Sequence, residues 1–127
     1  MSKFWKIVVF GAGAVLVFDT AASFASKGLG FPYAYASIGS VLIYAMVGYF
    51  SYRHWGLVRA VGAAVLVELV DATLGWFISW QIGPGALPTN QATPLVIATT
   101  IVTVLIFAAV CALIGSATAR MLHGPRS

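Results

Sequence analysis

Four apolar stretches, residues 7–26, 33–52, 57–80 and 94–119, account for most of the 127-residue chain. Each can supply the roughly 20 residues that a helix needs to cross a hydrocarbon core about 30 Å thick. The segments between them are short and rich in helix-ending residues. Lys27-Gly28-Leu29-Gly30-Phe31-Pro32 separates the first pair, and Gly83-Pro84-Gly85 with Pro88 and Pro94 separates the last. Glycine permits positive φ, and proline lacks the N–H that a continuing helix needs. Only Arg53 to Gly56 joins the second and third stretches, which makes those helices antiparallel neighbours. The pattern predicts an all-α integral membrane protein, a four-transmembrane-helix bundle forming one domain over residues 1–127, with its longest loop outside.

The two halves also align as repeated helical hairpins. Placing Asp19 on Asp71 matches Ala12 with Ala64, Val15 with Val67, Phe24 with Trp76 and Pro32 with Pro84. A second register pairs residues 38–45 (IGSVLIYA) with 101–108 (IVTVLIFA). Two helices per unit keep both copies in the same orientation, so the expected relation is a parallel repeat about an axis along the membrane normal. Lys3, Lys6, the apolar run 7–18 and the small Ser23 and Ala25 share the layout of a signal peptide. The repeat instead treats this segment as a structural helix.

Composition sharpens this picture. The chain is 61% hydrophobic and only 8% charged, where a globular domain carries about 25% charged residues. The net charge of +4 does not point to nucleic acid, because its distribution reports orientation. Lys3, Lys6, Arg53, Arg59, Arg120 and Arg126 fall on one side of the expected bundle, and only Lys27 on the other. By the positive-inside rule, both termini and the middle connection are expected in the cytoplasm, with the protein in the cell inner (plasma) membrane. The same bias makes any homodimer parallel. Trp5 and Trp55 belong near the inner interface, and Trp76 and Trp80 near the outer one. The single Cys111 permits no intrachain disulfide and is expected as a packing residue.

The acids carry the chemistry. Asp19, Glu68 and Asp71 are the chain's only carboxylate side chains, and all three lie within apolar stretches. An aspartate at the centre of a spanning helix costs about 2.5–3.5 kcal/mol on the translocon scale, so something must compensate or use it. Glu68 and Asp71, three apart, share a helical face with the small Ala64 and Gly75. Asp19 shares its face with Ala12, Val15, Ala22 and Ser26, so the three acids are expected in one cleft between helices 1 and 3. Arg59 precedes Glu68 by about 13 Å of helix rise and Lys27 follows Asp19 by about 12 Å. Both cations therefore snorkel more readily than they pair. The expected counterparts are hydroxyls: Ser37, Ser40 and Tyr44 on helix 2, in a stripe that also includes Tyr33, Gly48 and Ser51, and Thr103 on helix 4 beside Thr99 and Thr100. Glu68 and Asp71 are expected to share at least one proton near neutral pH.

No phosphate-cradling loop, zinc spacing or Ser-His-Asp set is present, so neither an enzyme, a cofactor nor a metal is expected. His54 and His123 are expected in solvent at the inner edge, and Ala108, Cys111, Gly115 and Thr118 form a small-residue ridge suited to helix contact. Size and helix count resemble the small multidrug exporters. Gly30-Phe31-Pro32-Tyr33 with Arg53-His54-Trp55 is loosely similar to small four-helix flippases of lipid-linked sugars. The second hairpin lacks an equivalent Arg-x-Trp, and no residue role is taken from either family. The expected function is a proton-coupled transporter or channel for a small cationic or polar solute. Asp19, Glu68 and Asp71 would bind solute and proton, along a path formed between protomers of a homodimer. The alternative is a non-transporting membrane subunit or assembly factor, whose acids pair with a basic residue of another membrane protein.

Overall fold

The computed structural model describes residues 2–30, 32, 36–84 and 86–125. These are 89% helical, with no strand among the described residues. Four helices form the bundle: α1 (Lys3–Leu29), α2 (Ala36–Trp55), α3 (Leu57–Ile82) and α4 (Pro94–His123). A short 3-10 turn, Thr89–Gln91, lies in the connection between α3 and α4. Helices α1 and α4 run past the apolar stretches that predict them, to 27 and 30 residues. Their ends are set by caps rather than by loss of hydropathy. Gly30 closes α1 at φ 78°, its N–H donating to the Ser26 carbonyl. The Thr93 hydroxyl accepts from the Val96 N–H at 3.2 Å ahead of Pro94 at the first turn of α4.

Helices α1, α3 and α4 are long and apolar enough to cross a membrane, and α2 is not among them. Its 20 residues rise about 30 Å, which is sufficient length. Its serines, tyrosines and the Arg53-His54 pair dilute its apolarity. The stretch expected to begin at residue 33 starts, within the described residues, at Ala36; residues 33–35 lie outside them.

Helices α2 and α3 are joined by Gly56 alone, at φ 89° and ψ −174°. Few L side chains tolerate this conformation, so one residue folds α3 back along α2. Helix α4 packs on one side of this pair and α1 on the other, and α1 and α4 scarcely touch. This departs from the repeat. Equivalent hairpins would bring α1 against α4 as closely as α2 meets α3, but the tight Gly56 corner holds only the latter pair together.

The α2–α4 seam is the tightest. A Cβ on Gly48 would sit 2.6 Å from the Ala112 Cα, and one on Gly115 would run into the Ala45 carbonyl. Small residues let helix backbones approach closely where lipid offers no hydrophobic drive to association. Ala108, Cys111 and Gly115 are buried here as the ridge predicts, with Ala112, Ser116 and Ala119. Thr118 instead faces outward and bonds the Ile114 carbonyl at 3.0 Å.

The basic ends converge at one end of the bundle. Phe4 meets Trp55 edge-on at 5.7 Å, and the Arg59 guanidinium lies 5.9 Å from the Phe4 ring centre, within cation–π range. His123 is bonded to the Tyr49 hydroxyl at 2.7 Å, tying α4 to α2, and His54 Nδ1 lies 2.9 Å from the Phe50 carbonyl oxygen. Both histidines are exposed as expected, but neither is merely solvated.

Two substitutions test this packing. Gly56→Ala should lower stability by about 1–3 kcal/mol, the range for a backbone held where only glycine is comfortable. Gly115→Ala should cost about 1–3 kcal/mol through overpacking of the α2–α4 seam. Gly62→Ala, where an added Cβ meets nothing within 4 Å, should be close to neutral. Thermal midpoints in detergent read all three.

Candidate functional site

The three acids meet. Asp19, Glu68 and Asp71 all line one cavity of about 240 Å³, enclosed by residues of all four helices. Asp19 is 8% exposed and Glu68 4%, so both are buried inside the bundle. Asp19 lies within side-chain hydrogen-bonding reach of Asp71. Tyr44, itself only 1% exposed, donates its hydroxyl to Asp71 Oδ2 at 3.2 Å. The same hydroxyl lies within reach of Glu68, so Tyr44 stands between two carboxyl groups with a single proton to donate.

A local change of helix geometry shapes the site. Residues Asp71–Gly75 form a π-helical turn inside α3, in which the Trp76 N–H bonds the Asp71 carbonyl. In a uniform α-helix, residues five apart point about 140° away from each other. The wider turn brings Asp71 and Trp76 to the same cavity wall. Single π turns inside α-helices recur at functional sites. Gly75 serves a purpose the sequence did not reveal. A Cβ there would collide with Asp71 Oδ1 and approach Leu16 at 3.2 Å, so its absence lets the Asp71 carboxyl fold back over the helix. That Oδ1 is buried with no hydrogen-bond partner among the described residues.

The supporting hydroxyls divide. Ser37, Ser40 and Tyr44 line the cavity, whereas Thr103 does not. Its hydroxyl bonds the Thr99 carbonyl at 2.8 Å on the exposed surface of α4. The α4 stripe facing the acids is Thr100, Val104 and Phe107, spaced at i, i+4 and i+7, and Thr103 falls beside it. Trp76 and Phe107 also line the cavity; Phe107 follows Thr100 at a helical spacing of seven, whereas Trp76 is brought beside Asp71 only by the π turn.

The cavity occupies the half of the bundle away from the basic cluster. From exposed Ser37 to Tyr44, and from Thr100 to Phe107, it extends about 10 Å along the helix axes. One turn beyond the acids it stops against Val15 and Val67, both 0% exposed. There Gly11 leaves room for Val47 and Val67, which would stand 3.0 and 3.1 Å from an added Cβ. Among the described residues, no lysine, arginine or histidine lines the cavity. The acids converge inside one chain, because α2 and α4 complete the walls that α1 and α3 begin.

The Tyr44–Asp71 contact makes a quantitative expectation. A double-mutant cycle of Tyr44→Phe with Asp71→Asn should show coupling of about 0.5–3 kcal/mol, as residues sharing a hydrogen bond do. Gly75→Ala, which displaces the Asp71 carboxyl, should reduce that coupling toward zero. Thermal or denaturant unfolding in detergent provides the measurement. Comparison of the chain with protein-family models, with curated proteins and with solved structures finds no match, so the reading of this site rests on its own geometry.

Proposed function

We propose that this protein is a small multi-pass protein of the cell inner membrane that exchanges protons for a small cationic or polar solute at Asp19, Glu68 and Asp71. One observation carries the reading: three carboxyl groups converge in an apolar bundle, around a cavity that no basic side chain among the described residues lines. Burying an ionised carboxylate without a partner costs several kcal/mol. Carboxyl groups in such a place are neutralised by protons or by a bound cation. Two carboxyls as close as Asp19 and Asp71 hold a proton between them more readily than they ionise together. A cation entering the site displaces that proton, and this competition couples the two movements. The volume of about 240 Å³ is below the roughly 300–1,000 Å³ of pockets for drug-sized ligands, which favours a small solute.

The orientation follows from the charges. The cluster of Lys3, Lys6, Arg53, Arg59 and Arg120 marks the cytoplasmic end, so the cavity faces outward. In a Cys111→Ala background, Ser2→Cys should react with a membrane-impermeant thiol reagent only in opened vesicles. Ala86→Cys should react in intact cells whose outer envelope has been permeabilised. The reverse pattern removes the orientation.

Transport is tested in liposomes carrying an internal pH indicator. Addition of a permeant-sized organic cation should alkalinise the lumen as protons leave. The triple variant Asp19→Asn, Glu68→Gln, Asp71→Asn should abolish the signal. A signal that survives the triple replacement eliminates the mechanism. A folded wild-type protein that gives no signal, but co-purifies stoichiometrically with another membrane protein, favours the subunit reading.

A further inference from the structure

A second cavity lies between α1 and α2 in the cytoplasmic half, remote from the acids. It measures about 460 Å³ and is bounded by Ile7, Phe10, Gly11 and Ala14 of α1 and by Ile43, Met46, Val47 and Phe50 of α2. Gly11 and Val47 form its floor, where the two helices touch. Phe10, 81% exposed, and Met46, 57% exposed, stand up as its banks. Helix α4 cannot cover it, because α4 packs on the opposite side of α2 and scarcely meets α1. Polar side chains occur only at its basic end, where Lys6 and His54 line the rim.

We infer that this groove binds one acyl chain of an anionic phospholipid of the inner leaflet, with the headgroup phosphate at Lys6. The inference rests on the bilayer-spanning reading and goes beyond the proposed transport. Three features select this occupant. The walls are apolar throughout, which suits an acyl chain. From Ile43 to His54 the groove runs about 16 Å along α2, about half of the roughly 30 Å hydrocarbon core and thus the depth of one leaflet. Its single charged end carries a cation at headgroup level, where phosphate oxygens complete the pairing. A second copy of this chain would need a basic-complementary acid at the rim, and the only three carboxylates of the sequence lie elsewhere.

Native mass spectrometry of the full chain in detergent, titrated with phosphatidylglycerol or with phosphatidylcholine of the same acyl chains, tests the inference. The expected result is one tightly held phosphatidylglycerol per chain. Lys6→Gln should weaken it by about fivefold, the contribution of one basic residue at an anionic surface. Lys3→Gln, outside the groove, should leave it within about twofold. Ala14→Trp fills the groove and should abolish the adduct. Phe10→Ala removes an exposed bank without disturbing the core, and should weaken binding if Ala14→Trp fails to fold by circular dichroism. Equal retention of the two lipids, equal losses for Lys3→Gln and Lys6→Gln, or a folded Ala14→Trp that still holds lipid each overturns the inference. A chain that stays in solution without detergent instead fails the spanning reading, which these lipid comparisons leave separate.

Discussion

The central polar cluster of this bundle is organised by the need to accommodate three carboxyl groups with hydroxyls rather than cations among the described residues. In helices that cross a bilayer, at about 3 kcal/mol each, three uncompensated acids would cost about 9 kcal/mol, within the 5–15 kcal/mol that stabilises an ordinary domain. The chain meets this cost internally. Tyr44 donates from α2 to Asp71 on α3, and Asp19 reaches Asp71 from α1, so three helices contribute to one polar cluster. A hydroxyl is the suitable donor. It satisfies a carboxyl oxygen without fixing a permanent positive charge, and it leaves the site able to take up a proton or a cation. A lysine in the place of Tyr44 would form a stable ion pair and remove that choice.

The rest of the packing separates this cluster from the basic end. Inward of the acids, Val15, Val67, Ala64 and Ala112 are completely buried, and the glycines at 48 and 115 bring α2 and α4 into backbone contact. Around the acids, the cavity is lined by two serines, a threonine and three aromatic rings. Side-chain size explains the asymmetry. Small residues close a seam, whereas Tyr44, Trp76 and Phe107 hold the walls apart. One turn past Asp19 the Ser23 hydroxyl donates to Ser79 at 2.9 Å, both fully buried, which ties α1 to α3 beyond the acids.

Much of this was legible in the sequence because hydropathy and helical period are local properties. Asp19, Glu68 and Asp71 were identifiable as acids within long apolar helices, and the α2 hydroxyl stripe could be read at spacings of three and four. Thr103 was misassigned because three neighbouring threonines, Thr99, Thr100 and Thr103, are nearly equivalent in sequence. Only the rotation of α4 about its axis places Thr100 inward, and that rotation is set by Gly48 and Gly115 in the seam. The π turn could not be read, since its cause is the fit of Asp71 over Gly75 and of Trp76 into the wall. The repeat misled about packing for a related reason. Equivalent residues do not fix equivalent contacts when one connection is a single glycine and the others are long.

The same packing determines what must give if a solute is to cross. The closed half is held by two different contacts, the rigid α2–α4 seam and the lighter meeting of α1 with Val47 and Val67 at Gly11. Opening the seam would break backbone contact along several turns of helix. Helix α1 scarcely touches α4 and leaves a groove of about 460 Å³ against α2, but it packs along the length of α3. The Gly56 corner keeps α2 and α3 together during any such motion. Helix α1, which carries Asp19, is tied to the bundle mainly through α3, by packing and by the buried Ser23–Ser79 bond. Displacing it would part Asp19 from Asp71 and break up the carboxyl cluster.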